Sequence, residues 1–176
     1  NKILVKNKIL APNLLSENYI NNYIEINDFG DQTLFQILKN KKNNKYVIFK
    51  KIVKILNKIQ LIKDKKVKNF KNKLYKVQEY KNKILFDETK LFSDWYAPKI
   101  LSKFKNIKFK KKFRLEIKKL LSKLNYKNVT FVHRDFHVSN LMYHNKTIAV
   151  IDSQDALIGN RAVSYTHLTL PTIAIV

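Results

Sequence analysis

The sequence predicts an α+β fold, mainly helical with small β-hairpins, on three observations. Ile48, Ile52, Leu56 and Ile59 recur at helical spacing, and Phe109, Phe113, Ile117, Leu121 and Leu124 form a second such stripe. After Asn125 the period changes, and Val129–Val132, Leu141–Tyr143 and Thr147–Ile151 read as short strands. The polar residues with chemistry to offer gather around that strand cluster.

Taken in chain order, Ile20–Ile26 reads as a strand, since Tyr23, Ile24 and Ile26 favour extended backbone. Asn27-Asp28-Phe29-Gly30-Asp31 is turn chemistry, and Asp31 is the expected cap of a helix starting at Gln32. Asn40–Asn44 is a polar linker and Tyr46–Ile62 a long helix. Lys63–Lys73 is a lysine-rich surface stretch without a motif. Asp87–Trp95 reads as a helix capped by Asp87, and the stripe from Phe109 lies on a third long helix ended by Asn125. His144-Asn145-Lys146 joins the last two strands. There is no internal repeat.

Composition bounds the function classes. The 176 residues are 45% hydrophobic, enough for a folded core. The chain has no cysteine, which excludes disulfides and thiolate metal sites. It starts at Asn1, shows no leader resembling a signal peptide, and has no apolar run of the roughly 18 residues that crossing a membrane requires. A cytoplasmic protein without a membrane partner is expected. The net charge is +23, yet only Arg114, Arg134 and Arg161 are arginines and the other 33 cations are lysines. Nucleic-acid readers lean on arginine for bidentate and stacking contacts. Abundant Lys, Asn and Ile together read as a composition effect on solvated faces, so no specific nucleic-acid partner is expected.

The chemistry concentrates in TFVHRDFHVSNLMYHNKTIAVIDSQDA, Thr130 to Ala156. Asp135 follows an apolar strand, Asn140 comes five residues later, and Asp152 closes the return strand of a hairpin. At roughly 3.3 Å per residue the two arms are of similar length, which brings Asp152 back beside Asn140. An amide and a carboxylate oxygen at the mouth of a hairpin suit Mg²⁺. Asp135 is then placed to orient an attacking hydroxyl and accept its proton. His133 to Asn140 follows the H-R-D-x-x-x-x-N pattern of kinase catalytic loops, in which positioning and charge neutralisation do most of the chemistry. His133 is read as a brace for the loop backbone. His137 reads either as a phosphate contact or as a solvated side chain, and Arg134 either pairs with a carboxylate or faces solvent. Asp28-Phe29-Gly30 mimics the metal-binding D-F-G of protein kinases, but it lies about a hundred residues before the loop, in the wrong order.

Four segments resemble the aminoglycoside-phosphotransferase superfamily, and within it the bacterial anomeric kinases of N-acetylmuramate and N-acetylglucosamine. They are IEINDFGDQTL (Ile24–Leu34), LFDETKLFSDWY (Leu85–Tyr96), FVHRDFHVSNLM (Phe131–Met142) and VIDSQDALIG (Val150–Gly159), and the resemblance runs from about Ile9 to Ala162. It implies a protein-kinase-like C-terminal lobe over 32–162, an interlobe linker at 27–31, and ATP with Mg²⁺ as cofactors. The linker of this family usually reads E-D-F-G-D, and Asn27 stands here where an acidic residue is usual. Its backbone would hydrogen-bond adenine, which makes Glu25, Ile26 and Asn27 cofactor-binding candidates together with His137. The implied metal ligands are Asn140 and Asp152, and the implied catalytic base is Asp135. The segment D-E-x-x-x-F-x-x-W-Y belongs to the sugar-binding face in such enzymes, so Asp87, Glu88 and Trp95 are substrate candidates. Phe92 and Trp95 equally suit a helix core. Ser153 replaces the usual Phe.

The family also has an N-terminal lobe with a glycine-rich phosphate loop, and the two glycines here, Gly30 and Gly159, cannot form one. That lobe is therefore expected to be largely missing, with residues 1–26 its remnant, and this fragment by itself is expected to be inactive. Residues 163–176, beginning VSYTHLTLPT, resemble a translated sequencing adapter and read as a non-native tail. The expected activity is ATP-dependent phosphorylation of a small-molecule hydroxyl, foremost that of an amino sugar. A kinase of another small alcohol (an aminoglycoside, choline or homoserine), a basic nucleic-acid-binding module and a pseudokinase-like scaffold are the alternatives. Intact Asp135, Asn140 and Asp152 speak against the scaffold.

Overall fold

A computed structural model describes residues 1–40, 44–69, 71–124 and 127–163. The architecture is α+β, helices with small antiparallel strand pairs. It divides into two compact units, one formed by residues 1–78 with the chain from 129 onward, the other by Glu79–Asn128.

The core of the first unit forms around α3 (Lys45–Gln60), which presents Ile52, Leu56 and Ile59 as one fully buried stripe. Against it pack Phe131 of β5 (Thr130–Val132), then Phe136, Val138 and Leu141, and Ile148 and Val150 of β7 (Thr147–Val150). Strand β5 pairs antiparallel with β8 (Leu157–Gly159). Strand β6 (Leu141–His144) pairs with β7 from Leu141↔Val150 to His144↔Thr147. The turn between them is therefore the two residues Asn145 and Lys146, both at positive φ, 46° and 63°. That is the two-residue hairpin loop whose twist matches the strands. His144, expected in the turn, is the last strand residue instead.

Several local expectations are corrected. Helix α2 (Leu34–Lys39) starts two residues later than Asp31 would cap. Thr33 accepts from the Gln36 N–H while the Gln36 side chain accepts from the Thr33 N–H. This reciprocal capping box satisfies two otherwise orphaned donors and outcompetes a lone carboxylate. The strand expected over 20–26 is shorter, β2 (Tyr23–Ile26), and pairs with an unforeseen β1 (Leu14–Asn18) across a turn. The lysine-rich stretch after 63 holds β3 (Lys66–Lys68), paired with β4 (Leu74–Lys76). Ile3 and Leu4 of α1 (Lys2–Lys6), Ile9 and Ala11 are buried in the same core as α3, where those four apolar side chains find cover.

In the second unit α4 (Asn82–Leu91) has Lys81 at its N-cap, so Asp87 is a mid-helix residue and not a cap. It runs into a π-helical turn, Phe92–Tyr96, and then α5 (Ala97–Ile100) and α6 (Lys103–Lys123). Phe109, Phe113, Ile117 and Leu121 are half-buried on α6, as their spacing predicts. Phe92 packs on Phe113 and Phe109 with ring centroids 5.5 and 6.2 Å apart. Leu124 is exposed just beyond the helix end. Asn125 and the tail 164–176 lie outside the described residues, as does most of the linker expected over Asn40–Asn44. Among the described residues no helix is long and apolar enough to cross a membrane.

One polar side chain lies in the first unit's core. His133, directly after β5, is 1% exposed, and neither ring nitrogen has a hydrogen-bond partner among the described residues. Burial pushes its pKa down from 6.5 to about 4, against a weaker upward pull from the Ile151 backbone and from Asp135 and Asp152. The imidazole is thus neutral when folded and protonates below pH 6.5 only in the unfolded chain. Its share of stability is complete above pH 6.5 and is lost as pH falls from there to about 4. That amounts to about 3 kcal/mol across the window. Urea unfolding at pH 7.0, 5.5 and 4.5 should show this loss, and His133→Phe should flatten it. An unchanged slope in that variant would show that His133 is not buried neutral.

Candidate active site

The loop that follows β5 is built from its backbone outward. Phe136 is completely buried and meets the His133 ring edge-on at 6.1 Å, which anchors the loop to the core from two positions. Between them Arg134 is held at φ 72°, a left-handed conformation costly for a residue with a Cβ. This turns Asp135 out of the core, where it is half-buried. The His137 N–H then donates to the Asp135 carbonyl at 3.0 Å, and the Asn140 N–H donates to the His137 carbonyl at 2.9 Å, closing a 3₁₀ turn over Val138–Asn140.

Asn140 is the junction. Its Nδ2 donates to the Asp135 carbonyl at 3.1 Å and to the Asp152 carboxylate at 3.3 Å, and lies 3.4 Å from His137 Nε2. The Ile151 N–H donates to the Asn140 carbonyl at 3.1 Å, so the two chains remain bonded past the end of the β6–β7 ladder. Asp152 follows at φ 65°, a second left-handed residue, and its other carboxylate oxygen accepts from Gln154 Nε2 at 2.6 Å. Asp135, Asn140, His137 and Asp152 are thus gathered at one hairpin mouth. Ser153, where a Phe is usual, is buried, and its hydroxyl donates to the Asn1 side chain.

Among the described residues no group of three or more His, Cys, Asp or Glu side chains gathers as a metal site. Mg²⁺ does not demand one, since it keeps several waters and takes one or two protein oxygens together with phosphate oxygens. Asp152 offers an exposed carboxylate, and the Asn140 amide oxygen beside it accepts no hydrogen bond among the described residues. The donor set fits a hard cation.

The segment expected as linker lies along the same hairpin. Tyr143 N–H donates to the Gln32 carbonyl at 2.9 Å, Thr33 bridges to Met142, and Phe29 is buried against Met142 and Ala149. Asp28 accepts from the Gly30 N–H at 2.8 Å, with Gly30 at φ 76°, so this aspartate shapes a turn. Upstream, Asn27 and Asn13 close the β1–β2 pair. The Asn27 N–H donates to the Asn13 carbonyl, and the Asn27 side-chain oxygen accepts from the Asn13 N–H. Glu25 and Ile26 are exposed on β2, and Glu25 accepts from the Ser16 hydroxyl.

The substrate candidates stand on the second unit. Trp95, 71% exposed on the π-helical turn, is not helix core. Asp87 is exposed and paired with Lys90, and Glu88 accepts from the Tyr80 hydroxyl. Sequence reasoning missed Asp94, the best-held acid of this unit. Arg114 Nη2 donates to both its carboxylate oxygens at 2.8 and 2.9 Å, and Lys110 lies at 2.7 Å. The Lys110 hydrogen bond, with the Arg114 and Lys110 charges, holds this carboxyl below the usual range. The pair Asp94–Arg114 spans two elements and twenty residues, and the one available signal was that Arg114 is among just three arginines.

Comparison with known proteins places these residues in context. An N-acetylmuramate/N-acetylglucosamine kinase from Neisseria meningitidis serogroup B is 34% identical over 92 residues, which is 52% of this chain and 27% of that protein. The chain thus spans about a quarter of that relative's length. A family model described as the phosphotransferase enzyme family, APH, matches residues 29–168. The match begins at Phe29, runs through the catalytic-loop pattern and the hairpin, and extends into the segment expected to be non-native. On that match the chain belongs to the APH phosphotransferase enzyme family.

Proposed function

We propose that this chain carries the catalytic loop of an ATP-dependent small-molecule kinase whose substrate is an amino sugar of the N-acetylmuramate or N-acetylglucosamine type. Its first unit, in this reading, corresponds to a protein-kinase-like C-terminal lobe with residues 27–31 as the interlobe linker, working in the cytoplasm. The observation that carries the proposal is that one side-chain nitrogen, Asn140 Nδ2, touches both the Asp135 backbone and the Asp152 carboxylate. Family membership and the name of the bacterial relative support the reaction class and the sugar, respectively.

Bound Mg²⁺ and nucleotide would supply the phosphoryl group and neutralise its charge. Asn140 and Asp152 would hold the ion, with an amide and a carboxylate oxygen to offer it. Asp135 would orient the sugar hydroxyl and accept its proton, and the bound nucleotide would supply the phosphoryl group and keep the leaving oxygen. His133 stays neutral beneath the loop, since its pKa lies near 4, and so adds no competing charge at working pH. His137, 3.4 Å from Asn140 Nδ2, would be a phosphate contact, and Glu25 to Asn27 would offer backbone groups to adenine. Trp95 gives the sugar an exposed ring face, with Asp87 and Glu88 on the preceding helix. Asp94, clamped by Arg114 and Lys110, fixes the turn from which Trp95 projects.

The tests belong in a catalytically competent protein that carries this segment. Asp135→Asn should lower kcat by about 10²-fold or more while leaving KM within a few-fold, because the lost interaction matters mainly in the transition state. A raised KM with unchanged kcat would assign Asp135 to binding instead. Asp152→Ala and Asn140→Ala should each cost about 100-fold in Mg-ATP turnover, with circular dichroism unchanged. Wild-type rates in either variant would remove the metal assignment.

A further inference from the structure

Helix α6 has two apolar stripes, and only one of them is used inside its unit. Phe109, Phe113, Ile117 and Leu121 are half-buried. On the opposite side Phe104, Ile107 and Leu115 are 80%, 64% and 53% exposed, and their spacing aligns them along one face. Lys108, Lys111 and Lys112 alternate with them, and among the described residues no ion pair engages these three lysines. A composition effect spread over the whole chain does not account for this helix. Nine of its 21 residues are lysine, against 33 lysines in 176 residues overall, so its density is more than twice the average. Arg114 is turned inward to Asp94, and Glu116 is the helix's only acidic residue.

We propose that this outward face of α6 docks on an anionic lipid surface. The 21-residue helix is about 30 Å long and, lying in the plane of the bilayer, inserts Phe104, Ile107 and Leu115 at the level of the headgroups. The lysines flank that stripe, burying their methylene stems while each ammonium reaches a lipid phosphate. A helix that lies on a bilayer needs no spanning apolar run, so the lack of one among the described residues is consistent with this role. Nucleic acid is the poorer match. Its backbone offers no apolar layer for a Phe, an Ile and a Leu, and the helix's single arginine is engaged elsewhere.

The test is co-sedimentation of the 176-residue chain with vesicles of phosphatidylcholine alone, or with about a third phosphatidylglycerol, at physiological salt. Binding is expected to the anionic vesicles only. The triple variant Lys108→Glu, Lys111→Glu, Lys112→Glu should weaken partitioning at least 100-fold, at about fivefold per lysine removed. Phe104→Ser with Leu115→Ser should weaken it about tenfold while leaving the charge intact. Both variants change exposed positions, and circular dichroism would verify that each remains helical. Failure to bind anionic vesicles, equal binding to neutral ones, or wild-type partitioning by either variant would overturn the proposal. So would a mixed-sequence DNA duplex that competes the chain off the vesicles at stoichiometric concentration, since that would make the face a general polyanion site.

Discussion

The register of the β6–β7 hairpin is the constraint on which the candidate active site depends. Its ladder ends at Leu141↔Val150, which leaves Asn140 as the first residue beyond it on one strand and Asp152, after Ile151, as the second on the other. A slip of one residue would send Leu141, Ile148 and Val150 out of the core and turn Asp152 away from Asn140. Two features prevent the slip. At one end the two-residue turn admits a single pairing, because both Asn145 and Lys146 are left-handed. At the other, the Ile151 N–H bonds to the Asn140 carbonyl, and Asn140 Nδ2 reaches the Asp152 carboxylate. The segment from Phe29 to Thr33 lies along β6 and fixes the outer edge of the same hairpin.

Both sides of that mouth carry strained backbone. Arg134 at φ 72° and Asp152 at φ 65° each sacrifice on the order of 1 kcal/mol of backbone preference. They persist because the residues beside them have nowhere else to go. His133 and Phe136 are buried on either side of Arg134 and Asp135, and Val150 and Ser153 are buried on either side of Asp152. A neutral, desolvated His133 is part of the same compromise. It occupies core volume, and its ring packs on Phe136, although neither nitrogen finds a hydrogen-bond partner among the described residues. The strained aspartate and the buried histidine both border the proposed site, and residues held this way mark functional positions more often than ordinary turns do.

What could be read from the sequence depended on how far apart the cooperating residues lie. The stripe Ile52, Leu56, Ile59 and the stripe from Phe109 needed only a 3.6-residue period. The return of Asp152 to Asn140 needed only two arms of equal length and a tight turn. The cap of α2 was misjudged because Asp31 and Thr33 both suit the role. The choice fell to Gln36, three residues on, which can answer Thr33 and not Asp31. The β3–β4 pair was invisible because its alternation rests on Val67 and Tyr75 amid lysines, and β1, the partner of the expected strand β2, because nearly every residue on it is exposed. The Asp94–Arg114 clamp joins two helices, and neither segment alone announces a partner.

The lysine excess has a different meaning in different parts of the chain. Along α3 the buried stripe of Ile52, Leu56 and Ile59 is complete, and lysines such as Lys50, Lys54 and Lys58 fill the exposed side, as on any amphipathic surface helix. Along α6 no residue is fully buried, apolar side chains appear on both sides, and nine of 21 residues are lysine against five of 16 on α3. Charge alone would predict only solubility and loose adhesion, for either helix. It is the combination with exposed Phe104, Ile107 and Leu115 that separates them, because exposing three large apolar side chains has a cost that water does not return. A surface that accepts both the aliphatic stripe and the ammonium groups recovers that cost, and a lipid headgroup region with anionic phosphates offers both at once.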